Sequence, residues 1–446
     1  MAAAYIGAPV ESAHGAWDYV FAALAISLLM VVAIAPEPKC RAWWKRGVEA
    51  VDAALGRVPK WPIAVGLFAL AARTVFLACV PPGAPASDAA TYDTLARGII
   101  DGAGYFYRGA WALYAPGYSL FIAGVYTILG DGLWVVPCLQ LALGAVTCSL
   151  LYIIARPAGE IPARVASILL ALSPGHILYT NTLRFETLST FLTLVAVWVC
   201  LRWVRRPAWW VALVLGLVTG ASILVRVPTV FLVPAFVVLA WSPEDGERWR
   251  KLGGLVGPVV LGVVVVIAPW TIRNYVVLGR FVPISIDFAH NFHLGNDVAH
   301  NGDWYPEYPW YYDQMPELEA AGEYARLARE NARAAPLGTA WLMLRKLVRM
   351  VEPFGTERRG RIEHVMILYN LVLLTLVTIG MARNGAFRQP LNRAVLVYGA
   401  LWLLSFALII AQPRYRVPAL PFACVLAGAA LATVDGTDGT LAGDEG

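Results

Sequence analysis

Charged residues are scarce in this chain. Asp, Glu, Lys and Arg make up 15% of its 446 residues, whereas soluble domains carry about 25%. Hydrophobic residues account for 59%, and the mean hydropathy is +0.61. Because this deficit extends along the chain, it excludes a soluble enzyme with a single membrane anchor. The apolar runs are continuous and do not alternate with polar residues, which argues against an outer-membrane barrel. The composition predicts an all-α polytopic membrane protein.

Cysteine is also rare, and the chemistry-bearing motifs of several enzyme classes are missing. None of the six cysteines has metal-ligand spacing to another, and most lie inside apolar runs, as buried cysteines do. The sequence has no Gly-rich phosphate loop, CxxC pair or zinc-protease helix. We therefore expect no cofactor and no nucleic-acid partner. The set Asp287, His290, His293 and His300 is the one alternative for a metal, but its spacing matches no closed site, and no metal is indicated.

Apolar runs of about 20 residues are typical of spanning helices. The sequence contains eleven candidate spans: 17–35, 61–80, 133–155, 165–181, 186–204, 208–225, 227–241, 253–269, 363–381, 394–411 and 417–434. No charged region precedes the first, which we interpret as a retained helix rather than a cleaved signal. Residues 116–130 are too short for a clear span, and we interpret them as an interfacial helix. If they crossed the membrane, every later side assignment would be reversed.

Basic residues are distributed unequally between the two predicted sides. Five segments, namely 36–60, 156–164, 202–206, 242–251 and 382–393, hold 17 Lys and Arg residues, whereas the short loops of the other side hold six. Since short cytoplasmic loops carry the excess of basic residues, the N-terminus is predicted outside and the C-terminus inside. The protein is then expected in the inner (plasma) membrane, with Asp88, Arg414 and Arg416 facing the periplasm or exterior.

The predicted chain has three parts. Residues 1–269 form an N-terminal transmembrane module that includes the first outer loop, 81–132. Residues 270–362 form a long outer segment, in which 336–351 mixes apolar and basic residues as surface helices do. Residues 363–446 supply the C-terminal spans and a short cytoplasmic tail.

Asp88 is the candidate catalytic residue. It opens a polar loop eight residues after the apolar run 61–80. A carboxylate at the mouth of a membrane helix can accept a proton from a hydroxyl of an arriving substrate. The alternative is structural, because Ser87 or Asp88 could cap the helix predicted at Ala89–Ile100.

Arginines near the predicted outer helix ends are candidate ligands of a phosphate, since the planar guanidinium matches phosphate oxygens. The alternative for each is contact with lipid headgroups. The candidates are Arg184, Arg226, Arg273, Arg414 and Arg416. Arg73 lies inside a predicted span, where a charge requires a partner or a cavity.

These motifs, in this order, resemble the polyprenyl-phosphate-sugar-dependent glycosyltransferases of the GT-C superfamily, above all the group of the lipid A aminoarabinose transferases and the protein O-mannosyltransferases. The matching stretches are Arg73, Ser87-Asp88, Gly102–Tyr105, Ala115–Tyr118, Ser173-Pro174 with Glu186, Leu224–Pro228, Pro269–Tyr275, Gly295-Asn296 and Arg414–Arg416.

The resemblance implies a GT-C-type bundle of about 11 transmembrane helices, with interfacial helices in the first outer loop. It also implies an inverting transfer of a sugar from a polyprenyl-phosphate donor to an envelope acceptor, which could be a glycolipid, a polysaccharide or a protein. Asp88 matches the family's general base, and the arginines would stabilise the leaving phosphate. The expected substrate-positioning residues are Tyr92, Tyr118, Glu186 and Tyr415. The protein O-mannosyltransferases have an Asp-Glu pair, whereas Ala89 follows Asp88 here. This difference weakens the argument for a protein acceptor.

Two other classes are alternatives to this enzyme of lipopolysaccharide or glycan modification. A lipid-linked glycan transporter or flippase would show inverted repeats and charges near mid-membrane. An O-antigen ligase or polymerase would lack an aspartate loop directly after an early span. The sequence leaves open the sugar, the acceptor, the prenyl chain and the role of residues 17–35.

Overall fold

The computed structural model describes residues 38–56, 58–241, 247–305, 308–351, 361–383 and 389–431, and these ranges are almost entirely helical. They contain 17 α-helices: α1 Pro38–Leu55, α2 Trp61–Cys79, α3 Asp88–Ile100, α4 Gly117–Leu129, α5 Val135–Ala155, α6 Glu160–Leu172, α7 Pro174–Thr180, α8 Glu186–Arg205, α9 Trp209–Val225, α10 Leu232–Ala240, α11 Arg248–Leu278, α12 Asp287–Gly295, α13 Glu317–Ala334, α14 Pro336–Val351, α15 Arg361–Arg383, α16 Pro390–Leu408 and α17 Leu420–Ala429. Short 3-10 helices occupy Arg156–Ala158, Val227–Phe231, Tyr311–Asp313 and Pro413–Ala419.

Six of the described helices are long and apolar enough to cross a membrane, namely α2, α5, α8, α11, α15 and α16. The pair α6 and α7 would make a seventh span if it is counted as one. Helices α4 and α9, and residues Val227–Ala240, are apolar but shorter. These helices confirm the all-α polytopic membrane class, whereas the number of 11 spans stays a prediction. The predicted span 17–35 lies outside the described residues.

The helices depart from the predicted spans at several places that contain proline. Residues 165–181 are not one straight helix, because α6 and α7 meet at an angle of 52°. The break lies at Ser173, which is extended (ψ 115°) and precedes Pro174, as expected for a residue before proline. Residues 417–434 do not begin as an α-helix either, since a 3-10 helix with two prolines, Pro413–Ala419, precedes α17.

Small residues bring α9 and α11 into close contact. Gly216 and Gly220 lie one turn apart on α9, and a Cβ at Gly216 would overlap the backbone carbonyl of Val259 on α11. In the opposite direction, a Cβ at Gly262 would lie 2.6 Å from the carbonyl oxygen of Leu213. Such small-residue interfaces allow membrane helices to pack backbone against backbone.

We expect Gly216→Ala to destabilise the protein by about 1–3 kcal/mol, because the added methyl group forces the two helices apart. The matched control is Gly399→Ala on α16, where a Cβ meets no atom within 4 Å, and where alanine should be neutral or stabilising. Thermal unfolding in detergent compares the two variants. Equal melting temperatures would contradict the close packing of α9 on α11.

Arg73 is buried inside α2 and has several partners. Its guanidinium lies 2.7 Å from Nδ1 of His176 and donates to the carbonyl oxygens of Ala69 at 3.0 Å and Ala171 at 3.4 Å. Because an arginine has only donors, Nδ1 of His176 accepts this hydrogen bond. The expected partner of Arg73 is thus present, and the contact joins α2 to the bend between α6 and α7.

The segment predicted to lie outside contains α13 and α14, of which α14 coincides with the surface helix predicted at 336–351, and it contacts the loop at 81–132. The Glu317 carboxylate accepts hydrogen bonds from the backbone N–H groups of Trp111 at 2.7 Å and Ala112 at 3.1 Å. On α14, the buried Lys346 Nζ donates to the carbonyl oxygen of Gly295 at 2.8 Å, which ties α14 to the end of α12. The three-part division at 269 and 362 stays a prediction.

Candidate active site

Asp88 is the first residue of α3, and its side chain forms an ion pair. Asp88 Oδ2 lies 2.6 Å from Nη2 of Arg414, with the aspartate side chain 40% exposed and the arginine 10% exposed. Ser87, the residue before the helix, makes no capping hydrogen bond through its side chain. The first outer loop and the approach to the last helix therefore meet at Asp88 and Arg414.

Arg414 also lines a cleft. Its Nε atom is buried and has no hydrogen-bond partner among the described residues. Burial alone would lower the pKa of Arg414, but Tyr415 and Asp88 outweigh that effect and raise it, so the guanidinium is charged. The cleft is lined by polar and apolar residues: Ser173, Pro174, Gly175, Leu178, Tyr179, Met366, Asn370, Pro413, Arg414, Arg416, Val417 and Leu420. Two of the predicted phosphate ligands, Arg414 and Arg416, thus share one cleft.

Arg226 is enclosed by aromatic rings. Its guanidinium carbon lies 4.4 Å from the ring centre of Tyr415, 4.5 Å from that of Phe185 and 5.5 Å from that of Phe406. Rings at these distances stabilise a cation. The Tyr415 ring also lies 5.1 Å from the guanidinium carbon of Arg414, so this one tyrosine contacts both arginines.

Glu186 begins α8 and is fully buried, with 0% exposure. Neither of its carboxylate oxygens has a hydrogen-bond partner in the part of the chain that the structure describes. Its electrostatic neighbours are Arg226 and Asp88. A buried polar group without a partner is costly and marks a place where a ligand or water belongs.

Tyr92 forms an aromatic wall beside Asp88. Its ring contacts Tyr118, Phe185 and Tyr114 edge-on, at centroid distances of 5.1, 6.2 and 6.3 Å. Burial and the nearby Asp88 carboxylate raise the pKa of Tyr92, so it is neutral. The Tyr118 hydroxyl donates to Oε1 of Gln140 at 2.9 Å, so that ring, rather than that hydroxyl, faces Tyr92.

Two predicted phosphate ligands are placed differently from the others. Arg273 donates through Nη1 to the carbonyl oxygen of Trp111 at 2.7 Å and through Nη2 to that of Tyr105 at 3.1 Å. These bonds hold the first outer loop. Arg184 lies two residues before Glu186, where it is half-buried.

Asp287 and His290 are near this site, although the sequence indicated them only as an alternative metal set. Burial raises the pKa of Asp287, and its charged neighbours include His290, Arg226 and Asp88. No group of three or more His, Cys, Asp or Glu residues with metal-binding geometry occurs among the described residues. The only signal in the sequence was the position of Asp287 at the start of a short amphipathic helix in the outer segment.

Comparison with known proteins shows which folds this chain resembles. The family model for dolichyl-phosphate-mannose-protein mannosyltransferases matches residues 114–272. ArnT from Cupriavidus metallidurans bound to undecaprenyl phosphate aligns with a TM-score of 0.52 at 14% identity, over 83% of this chain and 59% of ArnT. The Archaeoglobus fulgidus oligosaccharyltransferase, tethered to an acceptor peptide containing the NVT sequon, aligns with a TM-score of 0.52 at 13% identity, over 83% of this chain and 49% of that enzyme.

This chain therefore spans only about half to three fifths of the length of those solved proteins. A comparison with curated protein sequences gives no match. At such low identity, the structural alignments show a shared fold. The helices, the matched middle third and these alignments together confirm the resemblance: the chain has the GT-C membrane fold of the glycosyltransferases ArnT and the archaeal oligosaccharyltransferase.

Proposed function

We propose that this protein is a membrane glycosyltransferase that moves a sugar from a polyprenyl-phosphate donor to an acceptor of the cell envelope. The observation that carries the proposal is the 2.6 Å contact between Asp88 and Arg414 at the edge of a cleft shared with Arg416. The contact supports the proposal because it brings a carboxylate that could act as general base and a cation that could bind phosphate into one site. Sugar transfer from a phosphate needs both groups in the same site, the base beside the attacking hydroxyl and the cation beside the leaving phosphate.

Each group has a definite part in the proposed reaction. The acceptor hydroxyl gives its proton to Asp88 while its oxygen attacks the anomeric carbon of the sugar. The bond between that carbon and the phosphate oxygen breaks on the opposite side, and its electron pair stays on the phosphate. Configuration at the anomeric carbon is therefore inverted. Arg414 and Arg416 stabilise the charge of the leaving phosphate, because cationic donors fixed beforehand act most strongly where charge develops.

The composition of the cleft supports a lipid phosphate as the donor. Leu178, Met366 and Leu420 are apolar, whereas Arg416 and Asn370 are polar. An isoprenoid phosphate has the same division between an apolar chain and an anionic head. The ArnT structure of similar fold is bound to undecaprenyl phosphate, and we carry that ligand class over to this chain as part of the proposal.

The acceptor and the orientation belong to the same proposal. We place the site on the outer face of the inner membrane, since the basic residues favour that side for Asp88. Because Ala89 follows Asp88, where the protein O-mannosyltransferases have a glutamate, we propose a glycolipid or polysaccharide acceptor over a protein.

The test is a transfer assay with the full chain purified in lipid nanodiscs. The donors are undecaprenyl phosphoglucose and undecaprenyl phosphomannose, and the acceptors are extracted envelope glycolipids and polysaccharides. Mass spectrometry should detect undecaprenyl phosphate together with an acceptor heavier by one sugar. If the protein consumes neither donor and binds no undecaprenyl phosphate, the proposed function is wrong. Movement of the intact donor across proteoliposomes, without transfer, would favour the transporter instead.

A further inference from the structure

Helix α12 bridges the two chain segments that carry Asp88 and Arg414. At its beginning, the backbone N–H of Ile286 donates to the carbonyl oxygen of Ala112 in the first outer loop at 2.9 Å. Further along, the carbonyl oxygen of Asn291 accepts from the N–H of Ile410 at 3.1 Å, and Nδ2 of Asn296 donates to the carbonyl oxygen of Leu408 at 2.7 Å. The position of α12 is therefore fixed relative to both halves of the site.

Asp287, the first residue of α12, lies near the same space. Its electrostatic neighbours include Arg226 and Asp88, and it acts in turn on Tyr92 and Tyr114. The side chain is 33% exposed, so a ligand can reach it.

The Asp287 carboxylate is held in place from behind. Nδ2 of Asn291 donates to its Oδ1 at 2.6 Å, and Nδ1 of His290 lies 3.5 Å from the same oxygen. His290 is surrounded by the rings of four aromatic residues at centroid distances of 5.8–6.4 Å: Tyr308, Trp310, Tyr312 and Tyr324. Burial lowers the pKa of His290, so the imidazole in this cage is neutral. Among the described residues, the hydrogen bond from Asn291 engages Oδ1, which leaves Oδ2 for a ligand.

A proton relay and a metal site are both poor explanations of this arrangement. Asp88 is 40% exposed and can release its proton directly to water, so it needs no second carboxylate as a relay. No described group of three ligands is present for a metal. A carboxyl oxygen accepts hydrogen bonds, so Asp287 suits a ligand that carries donor groups.

A second, independent observation also indicates such a ligand. Glu186, fully buried beside Arg226 and Asp88, has two carboxylate oxygens without a hydrogen-bond partner among the described residues. Two carboxyl groups thus lie near the site, on helices α8 and α12, while the Tyr92 ring forms a wall. The hydroxyl groups of a sugar can donate hydrogen bonds to such carboxyl oxygens.

We propose that Asp287 is a substrate-contacting residue that accepts hydrogen bonds from hydroxyl groups of the donor sugar. This inference rests on the proposed function. The two parts of the donor then bind to different residues. Arg414 and Arg416 bind the phosphate, and Asp287 binds the sugar. Asp287 then selects a lipid phosphate that carries a sugar over one that does not.

The experiment compares the binding of two lipids to the full chain in nanodiscs. The first lipid is undecaprenyl phosphate, and the second is undecaprenyl phosphomannose or undecaprenyl phosphoglucose, whichever the wild type uses. The variants are Asp287→Ala, Asp287→Asn and Arg414→Ala. The matched control is Asp313→Asn, which changes an aspartate of the outer segment that pairs with Arg108 and is 44% exposed. Melting temperatures identify any variant that is misfolded. If Asp287→Ala is misfolded, Asp287→Asn replaces it, because asparagine keeps an acceptor oxygen for Asn291.

Asp287→Ala should weaken binding of the sugar-bearing lipid by at least ~10-fold, which is the loss of a hydrogen bond to a charged group. It should leave binding of undecaprenyl phosphate unchanged, whereas Arg414→Ala should weaken both. Unchanged binding of both lipids by folded Asp287→Ala and Asp287→Asn would overturn the inference alone, as would equal weakening of both lipids. If the wild type binds neither lipid, the proposed function fails together with the inference.

Discussion

The Asp88→Asn variant is expected to transfer sugar about 100- to 10,000-fold more slowly than the wild type, which is the usual contribution of a general base. Asparagine has nearly the same shape as aspartate but cannot accept the proton of the acceptor hydroxyl. Asp88 lies at the start of α3 with its side chain 40% exposed, and the side-chain oxygen of asparagine can still accept a hydrogen bond from Arg414, so we expect the variant to fold. The loss should therefore occur in the chemical step, at a constant melting temperature.

Single-turnover transfer in nanodiscs, with donor saturating, measures this effect separately from binding. Asp101→Asn is the matched control, because Asp101 follows the other end of the same helix and is exposed. It should retain the wild-type rate. A folded Asp88→Asn variant that transfers at a rate comparable to wild type would remove Asp88 from the reaction.

Asp88 could be singled out from the sequence because its signal is local. A carboxylate after an apolar run and before an amphipathic helix is visible within residues 61–100, and the helix extends over Asp88–Ile100. The bend at Ser173 also had a local signal, Pro174, but the continuous hydropathy of residues 165–181 concealed it. Hydropathy averages over a window, whereas proline acts at one peptide bond.

Roles that depend on long-range contacts were not predictable. Arg273 and Arg414 are both arginines near helix ends, and the sequence gives no reason to distinguish them. In the structure, Arg273 binds carbonyl oxygens of Tyr105 and Trp111, whereas Arg414 faces Asp88 and a cleft. Asp287 is a stronger example, since its relation to Asp88 exists only because α12 contacts both Ala112 and Ile410.

Arg414→Ala is expected to weaken binding of undecaprenyl phosphate by at least ~30-fold, as the loss of a buried charge partner does. The structure adds a less obvious expectation, because Asp88 already occupies the Nη2 edge of Arg414 at 2.6 Å. An incoming phosphate competes with that carboxylate for the same cation. We therefore expect donor binding to release Asp88 from Arg414, so that the proposed base becomes available only after the phosphate is in place.

This competition predicts that the two variants change donor binding in opposite directions. Asp88→Asn removes a negative charge beside the phosphate, which should strengthen binding of undecaprenyl phosphate by ~5- to 30-fold, corresponding to ~1–2 kcal/mol of relieved repulsion. The same variant barely transfers sugar, so it should hold the donor tightly and use it poorly. Arg97→Gln is the matched control, because Arg97 lies on the same helix and pairs with Asp93 and Asp131, and it should bind as the wild type does. Weaker phosphate binding by folded Asp88→Asn would show that Asp88 supports phosphate binding by Arg414 and does not compete with the phosphate for it. That result would contradict the release of Asp88 from Arg414 on donor binding.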